Sequence, residues 1–235
     1  MRTAFKVHPI SFLKKYHHLW WQLYWLIYLP WFAYLEKTVT KQFHVIHMAI
    51  DDYIPFCEYF VIPYFLWFAY VAIGIIYFAL KNKEEYYNLC KILFFGMTVF
   101  LVVSTFCPNG HYLRPSTFAR DNIFVDMVRR LYAMDTATNL FPSIHVYNSI
   151  VVNAVIWHCE DFKKHHIIRY SSGILMISIV LSTMFLKQHS VIDVLGGLAL
   201  AAFMYIPVYA VNWPRVAARV REKRRAKVLV TDNKN

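Results

Sequence analysis

The chain has 235 residues, of which 58% are hydrophobic and 18% aromatic, with 25 Lys and Arg against 14 Asp and Glu. A mean hydropathy of +0.37 excludes a soluble domain of this length, and uncharged runs long enough to cross roughly 30 Å of hydrocarbon mark an integral membrane protein. The net charge of +11 would suit a nucleic-acid binder, but the positions of the basic residues, set out below, exclude that partner.

Residues 1–18 form a basic leader with Arg2, Lys6, Lys14 and Lys15, placed at the cytoplasmic interface, where His17 and His18 meet headgroups. The first span is 19–35. It carries Gln22 and several Trp and Tyr, with no small-residue cleavage site after it, so it is read as retained rather than as a signal peptide. The outer loop 36–58 holds His44, His47, Asp51 and Asp52, but no further ligand can be placed nearby, and no metal is expected.

Spans 59–80 and 92–107 are joined by the polar link 81–88 and read as scaffold. In the long loop 108–142, Ile123, Phe124, Met127, Val128 and Leu131 repeat at helical spacing, with Arg120, Asp121, Asp126, Arg129 and Arg130 on the other side. That pattern predicts an amphipathic helix on the outer interface. Spans 143–159, 170–186 and 194–213 follow, and Pro30, Pro63 and Pro207 are tolerated as kinks inside spans. The expected fold is all-α: an integral membrane six-helix bundle with an interfacial helix between spans three and four. Its divisions are a leader (1–18), a six-span catalytic domain (19–213) and a basic tail (214–235).

Orientation comes from charge. With the amino terminus inside, the inner segments hold Lys81, Lys83, Lys91, Lys163, Lys164, Arg169 and the basic tail. The outer segments hold only Lys37, Lys41, Arg114, Arg120, Arg129, Arg130 and Lys187. The positive-inside rule then puts both termini in the cytoplasm, and the tail 215–227 against anionic headgroups. Cys90 and Cys159 fall near the inner face, Cys57 and Cys107 near the outer one, all read as buried free thiols; one possible pair makes no disulfide framework.

Polar chemistry concentrates at the outer ends of spans. Where two apolar runs meet, the chain places Lys187, Gln188, His189 and Asp193, groups costly to desolvate without a partner or a task. His189 and Asp193 are four apart, so on a helix the carboxylate can bond one ring nitrogen and present the other, as a nucleophilic or general-base histidine requires; a self-satisfied structural pair is the alternative. Pro142 and Ser143 signal a helix start, whose free amides suit a phosphate and whose first turn holds His145. Arg114 offers a bidentate fork for phosphate oxygens. His111 either caps its loop or touches substrate, Tyr147 and Asn148 line the site or pack between helices, and Gly196, Gly197 and Ala201 read as close-packing positions.

These three pieces resemble the signature of the type-2 phosphatidic acid phosphatase superfamily: Arg114-Pro115, then Pro142-Ser143-Ile144-His145, then Ser182 with His189 and Asp193. The resemblance runs from Cys107 to Gly197. It implies a six-helix core in which His189 attacks phosphorus, Asp193 orients it, His145 protonates the leaving oxygen and Arg114 and Ser143 hold the phosphoryl oxygens, with no cofactor or metal. Two of the family's cations are missing, their places taken by Cys107 and Thr183, and Lys187, one turn from Thr183, is expected to replace one of them. The implied activity is a lipid phosphate or diphosphate phosphatase acting at the outer face of the cell membrane. A headgroup phosphotransferase, resembling inositol phosphoceramide and sphingomyelin synthases, shares the site up to the acceptor. A non-catalytic, transporter-like relative would need polar groups at mid-span, where the sequence is nearly bare. Opposite protonation demands on His189 and His145 imply a bell-shaped pH profile.

Overall fold

The computed structural model describes residues 16–211; the leader to residue 15 and the basic tail, with the expectations placed on them, lie outside the described residues. Within that range the chain is mostly helical. A 3₁₀ segment, His17–Tyr24, leads into α1 (Trp25–Thr38), followed by α2 (Val61–Lys81), α3 (Lys83–Phe106), α4 (Ile123–Met134), α5 (Ile144–His158), α6 (His166–Phe185) and α7 (Val191–Tyr205).

Among the described residues, four helical stretches are long and apolar enough to cross a membrane: Glu58–Lys81, Lys83–Phe106, His166–Phe185 and Val191–Ala210. The other two expected spans are shorter helices. α5 has 15 residues, a rise of roughly 22 Å, and packs against α2, α3, α6 and α7 at the centre of the bundle. Because neighbouring helices cover it, α5 is apolar nearly all round, and its length is set by them rather than by the bilayer. α6 and α7 present Ile174, Ile177, Leu195 and Phe203 outward, the surface a bilayer would cover.

The structure corrects several boundaries. The polar link expected at 81–88 shrinks to Asn82, whose side chain accepts the Glu85 amide at 3.1 Å while Glu84 and Glu85 occupy the first turn of α3; capping and the helix dipole turn a polar stretch into a helix start. His18, assigned to headgroups, is buried and its Nε2 bonds the Ala79 carbonyl at the end of α2 (2.8 Å). Cys107, expected buried, is exposed; Cys57 is half-buried, and no disulfide forms among the four cysteines. α4 forms where the apolar repeat predicts it, but Val125, Val128 and Leu131 are buried, with Val128 and Leu131 packed on Val61, Tyr64 and Leu186. Much of its apolar face is therefore covered by protein.

The loops at the end of the bundle that carries His145 and His189 are stitched into one platform. β1 (His44–Val45) pairs in parallel with β2 (Asn109–Gly110), and Gly110 bridges Thr138. A Cβ on Gly110 would stand 2.6 Å from the Ala137 carbonyl, so the close approach needs glycine. Asn109 Oδ1 accepts the amides of Leu140 and Phe141 at 2.8 and 2.9 Å, fixing the chain just ahead of Pro142-Ser143.

Candidate active site

α6 stops at Lys187, which adopts φ 53°, the left-handed conformation that commonly closes a helix and is strained for a residue with a Cβ. The amides of Gln188 and His189 both return to the Thr183 carbonyl, at 2.9 and 3.0 Å, turning the chain sharply toward α7. The Lys187 ammonium donates to the Asp51 carbonyl at 2.6 Å. Thr183, where the family carries arginine, is buried and gives its hydroxyl proton to the Val180 carbonyl (2.8 Å).

α7 opens with a capping box. Ser190 is the N-cap, and Asp193 Oδ2 accepts the Ser190 amide at 2.9 Å. A second carboxylate arrives from the loop between α1 and α2: Asp51 accepts the Ser190 hydroxyl (2.5 Å) and the amides of Val191 and Met48 (both 2.8 Å). Burial raises the Asp51 carboxyl, but the bonds from Ser190, Val191 and Met48 outweigh it and hold it below the ordinary aspartate value. Among the described residues no group of three potential ligands could hold a metal ion, and Asp51 is used as a helix cap.

His189 Nδ1 lies 3.5 Å from Asp193 Oδ2, with the two side chains 5% and 0% exposed. The other ring nitrogen, Nε2, faces His145 Nδ1 at 3.4 Å. His145 stands in the first turn of α5, flanked by the rings of Tyr64 and Trp67 at centroid distances of 4.7 and 4.3 Å. Ser143 N-caps the same helix, its hydroxyl accepting the Val146 amide at 3.4 Å, and its own amide donates to the Asp193 carbonyl at 3.1 Å. That bond joins the two histidine-bearing turns directly.

The approach is possible because Gly197 has no side chain. A Cβ there would lie 2.8 Å from the Ser143 carbonyl oxygen and 3.1 Å from Val146 Cβ. Gly197→Ala is expected to push α7 from α5, at a cost of about 1–3 kcal/mol, and to part His189 from His145. Thermal unfolding in detergent with paired activity measurements checks this; an unchanged midpoint and turnover would show that the helices yield freely.

Arg114 sits on the other side of His189. Its Nη1 donates to the carbonyls of Asp135 (2.7 Å) and Tyr132 (3.4 Å), and its Nη2 to the Thr136 carbonyl (2.9 Å) and Gln188 Oε1 (2.5 Å). The guanidinium lies 4.6 Å over the Tyr132 ring. Because arginine can only donate, Gln188 must turn Oε1 toward it and Nε2 away. Both Gln188 Nε2 and Arg114 Nε are buried with no partner among the described residues. Both are donors that the described residues leave unused. Sequence reading left Gln188 without a role; its position just before His189 was the available signal.

His111 holds the same turn in place. Its Nδ1 accepts the Leu113 amide (3.2 Å), which leaves Nε2 to donate to the Gln188 carbonyl (3.0 Å). Of the two sequence readings, the structure therefore supplies the cap. Burial, helped by the nearby His189, pushes His111 down from 6.5 to about 4. Below 6.5 the unfolded chain takes up a proton that the folded chain refuses until about 4, so this group's stabilisation falls as pH drops through that window, by at most about 3 kcal/mol. Asp135 opposes it. Burial and the Glu36 charge raise its carboxyl from 3.8 to about 6, so it stabilises the fold at low pH and loses that contribution as pH rises toward 6. The two slopes oppose each other in the parent protein, and the test is the difference between wild type and His111→Gln across pH 4 to 6.5: only the wild type should carry the His111 slope.

A cleft of about 670 Å³ opens beside His145, between α1, α2, α4 and α5. Its walls include Trp25, Phe32, Phe68 and Ile75, with Asp135 and Asn148 at the His145 end. Tyr147 packs elsewhere, donating its hydroxyl to the Ile92 carbonyl at 2.6 Å.

The model of one protein family, the PAP2 superfamily, matches residues 112–217. Over that stretch the chain resembles the PAP2 superfamily. Arg114, Ser143, His145, Lys187, His189 and Asp193 all fall inside the matched stretch. PAP2 proteins are in general phosphatases or phosphotransferases, which supports an enzyme of that kind, a lipid phosphate substrate and, with the four apolar helices, a membrane protein. Comparison with curated proteins found no match, and comparison with solved structures found none. Of the residues expected in the PAP2 site, the structure brings His189, Asp193, His145 and Ser143 into contact, and Arg114 reaches them through Gln188. Lys187 is turned to Asp51.

Proposed function

We propose that the protein is a membrane lipid phosphate or diphosphate phosphatase that works through a phosphohistidine on His189. Nε2 of His189 attacks phosphorus while the bond to the lipid oxygen breaks, and His145 gives that oxygen a proton. His145 then takes a proton from water as the water attacks the phosphohistidine, releasing phosphate and restoring His189. Asp193 holds the Nδ1 proton throughout and offsets the imidazolium charge. The observation that carries this reading is the pairing of the two rings: Nε2 of His189 aimed at His145, with the buried Asp193 behind it.

Phosphoryl oxygens would be met by Arg114 Nε, Gln188 Nε2 and the free amides at the start of α5 beside Ser143. For Lys187 to join them, its ammonium must exchange the Asp51 carbonyl for an anionic oxygen. The distribution of basic residues supports an extracytoplasmic site in the cell membrane with both termini inside, and the partly covered α4 lying at the outer surface of a six-span domain. Transfer to an alcohol in place of water is the second reading. It is favoured by Asp135, a half-buried acceptor that lines the same cleft as His145 and with which an alcohol hydroxyl could pair.

The test is phosphate release from phosphatidic acid, phosphatidylglycerol phosphate and a polyprenyl diphosphate by detergent-purified protein with chelator present, beside His189→Ala. Release that survives the chelator and vanishes in the variant is expected. Release that appears only when an alcohol acceptor is added would favour transfer, and equal release by the variant would end both readings.

A further inference from the structure

We propose that the cleft between α1 and α2 binds the hydrocarbon chain of a lipid alcohol, with the hydroxyl held at Asp135. Such an alcohol is what a lipid phosphatase releases and what a transferase phosphorylates, so its link to catalysis rests on the reading above. Its binding does not.

The cleft has one long apolar wall and two unlike ends. The lining on α2 runs from Tyr64 to Ile76, twelve helical steps and roughly 18 Å at the rise of an α-helix. Trp25, Leu29 and Phe32 face it from α1. At the inner end stands Gln22, whose amide is already engaged: Oε1 accepts the Trp25 indole at 2.8 Å, and Nε2 donates to the Tyr86 hydroxyl at 2.7 Å. A floor with its polar atoms paired off suits the methyl terminus of a chain.

The outer end has the opposite need. The Asp135 carboxylate receives, among the described residues, one long hydrogen bond, from the Tyr64 hydroxyl at 3.4 Å. Asn148 is buried and its Oδ1 has no partner among the described residues. Both are acceptors at the edge of an apolar space, Asn148 buried without a donor and Asp135 half-buried with one long bond, and an acceptor that burial leaves short of donors is costly. An anionic phosphoryl group would be repelled by the carboxylate; a hydroxyl supplies the missing proton. His145, flanked by the tilted rings of Tyr64 and Trp67 in the same wall, lies where that hydroxyl oxygen would meet the reaction centre. The charge pattern thus sorts the substrate, with phosphorus toward Arg114 and Gln188 and the alcohol toward Asp135.

The experiment uses the full chain in detergent carrying His189→Ala, so that labelling is read without turnover. The probe is a long-chain primary alcohol with a diazirine at its far end. Photolabel is expected on the α1 and α2 peptides around Trp25 and Ile75, displaced by unlabelled alcohol far better than by an alkane of equal length. Ala72 lies eight residues from Tyr64, roughly 12 Å along the cleft, on an exposed position. Ala72→Trp should therefore fill the cleft and weaken the long probe by about tenfold or more relative to a short one, the loss of a few buried methylenes. Ile76→Trp, also on an exposed position, should shorten the reach at the floor should the first variant fold poorly. Asp135→Leu should abolish the preference for alcohol over alkane. Label spread over the outward faces of α6 and α7, equal displacement by the alkane, or floor labelling that survives both tryptophans would overturn the proposal. Failure of phosphohistidine chemistry with this labelling intact would strike the reaction and leave the site standing.

Discussion

Alanine at His189 is expected to lower phosphate release by about 10⁴-fold or more, because removing the nucleophile of a covalent mechanism leaves only binding and electrostatic assistance. Asp193→Asn retains an oxygen for the Ser190 amide but presents a neutral amide to His189 Nδ1, so a loss of about 10²- to 10⁴-fold should follow from the wrong tautomer and the uncompensated imidazolium. His145→Ala separates the roles: its defect should shrink with an aryl phosphate, whose leaving oxygen needs no proton. Trapping the acid-labile phosphoenzyme with radiolabelled substrate reads the covalent step directly. Radiolabel bound to His189→Ala at wild-type level would move the nucleophile elsewhere.

Arg114→Ala should be the most destabilising single change at the site. The guanidinium serves three backbone carbonyls at the end of α4 and the Gln188 side chain. Removing it strands all four acceptors in a largely buried place, at about 3–5 kcal/mol. Arg114→Lys cannot reproduce the fork and should recover only part of this. Lys187→Ala breaks one bond to the Asp51 carbonyl and should cost about 1–2 kcal/mol. Denaturation in detergent orders the three; an unshifted midpoint for Arg114→Ala would mean that water replaces the guanidinium without penalty. Activity distinguishes the expected phosphate role of Lys187: an alanine variant as impaired as Arg114→Ala supports it, and near-normal turnover sinks it.

The candidate site residues stood out in the chain because each sits in a local pattern. His189 and Asp193 are one helical turn apart, Ser143 opens a helix two residues before His145, and periodicity alone outlined α4. Spans were harder to bound, since capping by Asn82 and coverage of α5 depend on neighbours that hydropathy does not see. Asp51 shows the limit most clearly. In sequence it is one of two adjacent loop acids beside two histidines, and only folding carries it to the start of α7, where it is worth more as a cap than as a ligand.

What the sequence determined by itself was the apolar, membrane-suited helices, the local turns and the choice of candidate reacting groups, all set by propensity, capping and spacing within a few residues. What the tertiary structure decided was how those groups are engaged. The Arg114 fork meets carbonyls and Gln188, Lys187 meets Asp51, and Asp135 and Asn148 stand at the mouth of an apolar cleft. Each of these pairings joins residues distant in the chain, and hydrogen bonds across such distances follow from packing, which no local pattern encodes.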